Sequence, residues 1–349
     1  MDMKVDTKSK NKMERKFKHF VGVDISKKKF DSAIIVDGKK EEMPSSCYEQ
    51  EKSSYDAFLQ WVKVQTKSDL QDVLFCMEHT GIYNIALVEY LCSYNLHVCV
   101  EAPMRIKLSI GLQRGKNDKI DAKRIAWYAY KNQDELTSWQ QPREKVRMLK
   151  ILLTQRSALI LAKTSLQNNI KEIAEIGLKT FAKQLKRYNN GIKGIVKDIV
   201  KIEADIKELV KQDEQLGKLC KQITSIPGMG FVTATHLIAY TNEFKTVRDG
   251  KQLACYCGVA PFEHTSGTSV RGKTRVSHQA NKTLKSLLHM CALASIQLEG
   301  EFKEYYERKK EEGKNSMAVI NSIRNKLLLR VAALVRNDSM YVYNYVYQV

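Results

Sequence analysis

No apolar run in this chain approaches the length needed to cross a bilayer, which excludes a membrane-spanning helix. The first twenty residues, MDMKVDTKSKNKMERKFKHF, are basic but lack an apolar centre and a cleavage site, so they are not expected to act as a secretory signal. Eight cysteines are present, yet they are neither paired nor spaced as a framework. Cys76, Cys92, Cys99 and Cys291 sit inside apolar runs, where a thiol behaves as a small hydrophobe. Cys255 and Cys257 stand too close together for a zinc knuckle and have no second pair nearby. Zinc and disulfide scaffolds are therefore rejected. Acidic residues are also scarce: 39 Asp and Glu face 58 Lys and Arg, a formal net charge of +19. An excess of that size favours polyanions, because each neutralised phosphate releases condensed counterions. Nucleic acid is the expected partner, and a cytoplasmic or nucleoid location follows from it.

With 349 residues, two or three structural units are expected. Residues 1–19 read as a basic arm. Residues 20–140 read as a mixed α/β unit, with strands at Phe20–Asp24, Phe30–Val36, Val73–Met77 and His97–Val100, the last closed by Pro103. Helical spacing appears at Tyr55, Phe58, Leu59 and Val62, around Leu87 to Leu91, and from Lys119 to Tyr130. Residues 141–223 change character: Tyr188, Ile192, Ile195, Ile199, Ile202, Ile206 and Leu209 alternate in steps of four and three, and Leu216, Cys220 and Ile223 continue the register. This is a coiled-coil seam or the buried stripe of a long amphipathic helix, its partner being the helix near 144–175 or another subunit. Residues 224–349 read as a largely helical third unit.

Two constellations carry chemistry. Asp24 and Glu78 end apolar strands, where side chains converge at one edge of a sheet, and Asp118 and Asp121 share a face at the start of a helix. Hard divalent ions such as Mg²⁺ take oxygen ligands, and a pair of them can stabilise the entering and leaving oxygens of a phosphoryl displacement. Taken singly, Asp118 is as easily a helix cap, and Asp24 and Glu78 ordinary strand ends. In the distal part, Ile226-Pro227-Gly228-Met229-Gly230 precedes an apolar helix and resembles a helix-hairpin-helix turn, whose Gly228 and Gly230 would let a phosphate approach backbone N–H groups. The alternative is a tight turn between packed helices. Beyond it, Ser266 lies among Arg271, Lys273 and Arg275. A serine hydroxyl needs its proton removed and charge neutralised on the group it attacks, and these cations could supply the neutralisation. A basic loop that only touches phosphates fits the same residues.

VGVDISKKKF, EHTGIY, VEAPMRIK and KNDKIDAKRIA resemble the N-terminal domain of the insertion-sequence one-ten family of DEDD transposases, relatives of the Piv invertases. SIPGMG and the segment LACYCGVAPFEHTSGTSVRGKTRVSHQANKTLKSLL resemble its C-terminal transposase domain. The likeness runs from about Phe20 to Val335 in unbroken motif order. It departs at Asn117, often Thr in the family, and at Gln279-Ala280-Asn281, where Lys-Gly-Asn is usual. The resemblance implies a RuvC-like (RNase H-like) domain, a coiled-coil domain and a helical domain bearing the nucleophile. It assigns Asp24, Glu78, Asp118 and Asp121 to Mg²⁺, and Ser266 to a covalent link with DNA, with Ser269 and Ser277 as alternatives. It further implies a structured bridge RNA that pairs with donor and target DNA, and a tetramer. A rival enzyme reading is a metal-dependent junction resolvase that uses water.

Overall fold

The computed structural model describes residues 16–79, 81, 83–110, 118–175, 182–247, 249–266, 270–276 and 280–343. The chain divides into two compact units, Met1–Gln141 and Pro142–Val349. Among the described residues, no helix is long and apolar enough to cross a membrane.

The first unit is built on a five-stranded mixed sheet. β1 (His19–Ile25), β2 (Lys29–Ile35) and β3 (Ser45–Glu49) form an antiparallel meander, while β4 (Val73–Glu78) and β5 (His97–Glu101) run parallel to β1, in the order β3-β2-β1-β4-β5. This is the mixed sheet that the alternation of predicted strands and helices implies. The parallel strands are apolar along most of their length because both faces are covered. On one face, α1 (Lys52–Thr66) and α2 (Ile85–Ser93) bury Tyr55, Phe58, Val62, Leu87 and Leu91 against Val21, Val23, Phe75 and Val98. On the other, α4 (Asp118–Lys131) packs Ile125, Ala126 and Ala129 against Phe20, Ile35, Leu74 and Cys76. Pro103 does more than close β5: it opens α3 (Pro103–Ile110), since a proline lacks only an N–H that a first helical residue leaves unpaired anyway.

One residue sets how close α4 lies to the sheet. A Cβ built on Gly22 would stand 2.1 Å from the Ala126 nitrogen and 2.2 Å from the Ala122 carbonyl oxygen. The helix backbone rests directly on β1 there, and only glycine permits it.

The second unit begins with a helical hairpin. α5 (Glu144–Glu175) and α6 (Ala182–Gln212) pack along each other. Their pairing is antiparallel: Arg156 meets Glu203 at 2.7 Å, and Gly191 approaches Leu166. The seam of α6 therefore meets α5 of its own chain, with Ile199, Ile206 and Leu209 buried and Tyr188, Ile192 and Ile195 half-buried. The register does not continue into Leu216. Asp213 caps a separate helix, α7 (Glu214–Thr224), by accepting from the Leu216 N–H at 2.9 Å, and Leu216, Cys220 and Ile223 enter the core of the second unit. Arg143 pins this joint, donating to Asp213 at 2.8 Å and from its Nε to the deeply buried carboxylate of Glu243 at 3.1 Å.

The remaining helices are α8 (Phe231–Tyr240), α9 (Gly250–Tyr256), α10 (Lys282–Ser295), α11 (Glu301–Glu311) and α12 (Ser316–Asn337). The region is not wholly helical: β6 (Pro261–Ser266) and β7 (Val270–Val276) form a two-stranded antiparallel ribbon. Its strands are short of large apolar residues, Val270 and Val276 being the only aliphatic ones in β7, so the sequence pattern suggested a loop there.

Two substitutions test this account by thermal or denaturant unfolding. Gly22→Ala is expected to destabilise the first unit by about 3 kcal/mol through overpacking against α4. Arg143→Ala is expected to cost about 3 kcal/mol, because it strips a buried carboxylate of its main partner.

Candidate active site

Side chains alternate across a strand, so Asp24 shares the α4 face with Gly22 and Phe20. Register carries this level across the sheet. Asp31 lies directly opposite Asp24, Glu78 lies one residue beyond the Val23–Met77 pair, and Glu101 lies opposite Glu78. Four neighbouring strands thus place carboxylates in one row. The first turn of α4 adds Asp118 and Asp121, one turn before the Ala122–Gly22 contact.

Asp24 feels this arrangement. Burial and the charges of Asp121, Asp118, Glu78 and Asp31 push its carboxyl up to about 6. Glu78 is raised as well, by burial first and by Asp121 second. Fixed cations sit at the margins. The Lys29 ammonium lies 3.1 Å from Asp118 and 3.4 Å from Asp31, and Arg124 lies 2.7 Å from Asp121. Glu101 is 4 % exposed and tied to Arg105 at 3.1 Å. Among the described residues, no three Asp, Glu, His or Cys side chains stand close enough together to enclose an ion as they are. The carboxylates are near enough to raise Asp24 and Glu78, while Lys29 and Arg124 pair with the aspartates of α4. A hard cation fits such a donor set, because it would relieve the repulsion that Asp24 records.

Of the residues expected from sequence, Asp24, Glu78, Asp118 and Asp121 lie within one another's electrostatic reach at one end of the sheet. Sequence pattern missed Asp31, Lys29 and the Glu101–Arg105 pair. A carboxylate on an otherwise apolar strand (Phe30–Val36), paired in register with Asp24 across a short turn, was the available signal for Asp31.

The distal residues belong to the second unit. Ser266 is the last residue of β6 and pairs with Val270, while Arg271 pairs with Thr265, Arg275 with Phe262, and Lys273 lies between them on β7. Ser269 and Ser277 lie outside the described residues, as do Asn117 and Gln279. The two glycines of the 225–230 connection differ. Gly228 adopts a φ of +84°, and a Cβ there would stand 2.6 Å from the Ser295 nitrogen, so packing on α10 accounts for it without any ligand. Gly230 has open space around its Cα and stands at the N-terminus of α8. Of the cysteines in apolar runs, Cys76, Cys99 and Cys291 are buried and Cys92 is half-buried.

The raised carboxyl of Asp24 has a measurable consequence in metal-free protein. A carboxyl whose folded-state value exceeds its unfolded one stabilises the fold while protonated, below about pH 4, and that contribution is lost as pH rises through about 6. With chelator present, the melting midpoint of Asp24→Asn should exceed that of wild type at pH 7.5 and converge with it toward pH 4.

Two family profiles match the chain: a DEDD transposase profile over residues 21–176, and the transposase IS116/IS110/IS902 family over residues 220–307. The pilin gene-inverting protein of Moraxella lacunata is 26 % identical over 329 residues, covering 92 % of this chain and 97 % of its own. The transposase for insertion sequence element IS1111A of Coxiella burnetii is also 26 % identical, over 54 % of this chain and 56 % of its own. A Thermus thermophilus RuvC bound to a Holliday junction substrate overlaps 35 % of this chain and 99 % of its own at 10 % identity and a TM-score of 0.27, too low to carry an argument. The sheet and its acidic row come from the strand register itself, and the two profiles cover both units. The chain belongs to the IS116/IS110/IS902 family of transposases, enzymes that cleave and rejoin DNA.

Proposed function

We propose that this transposase recombines the DNA of a mobile insertion sequence through a Mg²⁺-dependent acidic site and a covalent serine–DNA intermediate. The observation that carries the reading is the Asp24 carboxyl, pushed up to about 6 by burial first and then by the charges of Asp121, Asp118 and Glu78. These four residues would hold the cation. When bound, it would supply charge neutralisation at the scissile phosphate and stabilise the entering and leaving oxygens.

The protein's own groups have distinct tasks. Asp24 and Glu78, fixed on adjacent strands, set the position of the site, and the start of α4 brings the aspartates to it. Ser266 attacks phosphorus through Oγ. A P–O bond to serine forms as the P–O bond to the leaving deoxyribose oxygen breaks, the serine proton is lost to a base, and the leaving oxygen ends as a hydroxyl. The number of phosphodiester linkages is unchanged, so strand exchange and reversal need no ATP. Arg271, Lys273 and Arg275, on the strand paired with that of Ser266, neutralise phosphate charge or grip the backbone. Gly230, open at the start of α8, is the better placed of the two hairpin glycines for a phosphate.

Donor and target duplexes are the substrates, and a bridge RNA supplies sequence choice by base pairing while the protein reads shape and phosphates. The net charge of +19 suits a protein that holds several polyanions at once. A tetramer would let the acidic site of one subunit serve the serine of another. Leu161 and Val200, exposed on α5 and α6, are available as a coiled-coil contact between subunits.

The test combines donor and target DNA, guide RNA and Mg²⁺. Wild type should form an adduct that survives denaturation and retains labelled DNA. Ser266→Ala should abolish it, with a loss of at least about a thousandfold in recombination, as for other nucleophile deletions. Asp24→Asn should abolish both the adduct and any rise in melting midpoint on adding Mg²⁺. Full cleavage by Ser266→Ala would instead indicate a resolvase that uses water.

A further inference from the structure

In the second unit α9 and α10 each pack on α12, and none of the three helices contains an aspartate or glutamate. Along α12 the cations find substitutes elsewhere. Lys326 stands 4.4 Å from the centre of the Tyr305 ring, Arg330 pairs with Glu301 at 2.9 Å, and Arg336 donates to Asn337 at 3.4 Å.

Arg324 does not. It is 7 % exposed, its Nε is buried without a hydrogen-bond partner, and no carboxylate among the described residues pairs with it. Burial lowers its pKa, with no opposing charge. A guanidinium keeps its proton at physiological pH, so a buried one without an anion is a standing cost to the fold. An unmatched group of this kind calls for the ligand that would satisfy it.

Its surroundings indicate which ligand. Asn321, one turn before Arg324, donates to the Val259 carbonyl at 2.9 Å, two residues before β6 begins. At the other end of α9, a Cβ on Gly250 would stand 2.8 Å from Leu329, so α9 runs antiparallel along α12 with Arg324 between these two contacts. The Asn281 N–H donates to the Tyr256 carbonyl at 2.9 Å, which brings the start of α10 to the end of α9. The root of β6 therefore lies beside the stretch of α12 that bears Arg324. That ribbon carries Arg271, Lys273 and Arg275 and no acidic residue after Glu263. An anion drawn to such a region is a phosphate, and the planar fork of arginine matches its oxygens.

We propose that Arg324 anchors a phosphate-binding site at the root of the β6–β7 ribbon, filled by a backbone phosphodiester of bound nucleic acid. The proposal rests on the reading that this chain handles nucleic acid. It adds a residue far along the sequence from Ser266 that would seat the ribbon on a strand. The phosphate could belong to DNA or to RNA.

Full-length wild type, Arg324→Met and Arg324→Lys are compared in two arms, a labelled mixed-sequence DNA duplex and a labelled RNA hairpin. Affinity is titrated in each from 50 to 300 mM KCl, and melting midpoints are recorded without nucleic acid. In the arm that supplies the phosphate, Arg324→Met should weaken binding about tenfold and reduce the slope of log K against log salt by about one. Arg324→Lys should restore the slope but only part of the affinity, because the bidentate fork is gone. The free Arg324→Met protein should melt at or above the wild-type midpoint, since an unpaired buried charge has been removed. A lower midpoint with unchanged slopes in both arms would mark Arg324 as a packing residue and overturn the proposal. Unchanged slopes at any midpoint overturn it too, while leaving the nucleic-acid reading intact if wild type binds. Failure of wild type to bind either probe would remove both.

Discussion

Everything at the acidic site depends on how closely α4 lies against β1. Gly22 lets the helix backbone sit on the strand, and that contact fixes where the first turn of α4 stands relative to the end of the sheet. Carboxylates from residues 24, 78, 118 and 121 are thereby forced into one another's fields. Burial and this repulsion together raise the carboxyl of Asp24 in the cation-free protein. The fold tolerates it because the apolar faces of the sheet, buried between α1 and α2 on one side and α4 on the other, supply the stability. Lys29 and Arg124 soften the repulsion from the margins without filling the centre.

The second unit shows the opposite imbalance. Its ribbon and three of its packed helices are rich in cations and poor in acids, and Arg324 is buried among them without a counter-charge. Among the described residues, Asp24 and Glu78 of one unit have no paired cation, and Arg324 of the other has no paired carboxylate. A phosphate backbone with bound divalent cations is a polyelectrolyte that meets both needs, which is the physical sense in which the chain suits nucleic-acid chemistry.

Much of the first unit was legible in sequence because its signals are local. FVGVD and VLFCM are apolar runs that end in or beside a carboxylate, and the stretch from Lys119 to Tyr130 has a clear helical period. What escaped was set by tertiary pairing. β3 is a short polar edge strand, Ser45–Glu49, whose pattern resembles a loop. Asp31 takes its meaning only from register with Asp24. The heptad pattern running into Leu216 crosses a real helix break, because periodicity does not detect Asp213 acting as a cap. Gly228 was open to two readings, and its contact with the α10 backbone favours packing. Arg324 looks like any helical arginine in sequence, since the absence of nearby acids emerges only when three helices are brought together.

The proposal that these four carboxylates hold one cation is tested most directly by anomalous diffraction from crystals soaked in Mn²⁺, a Mg²⁺ surrogate. The account predicts a peak about 2.0–2.3 Å from oxygens of Asp24 and at least two of Glu78, Asp118 and Asp121. A peak lying elsewhere on the surface, with these side chains unmoved and unliganded, would contradict it.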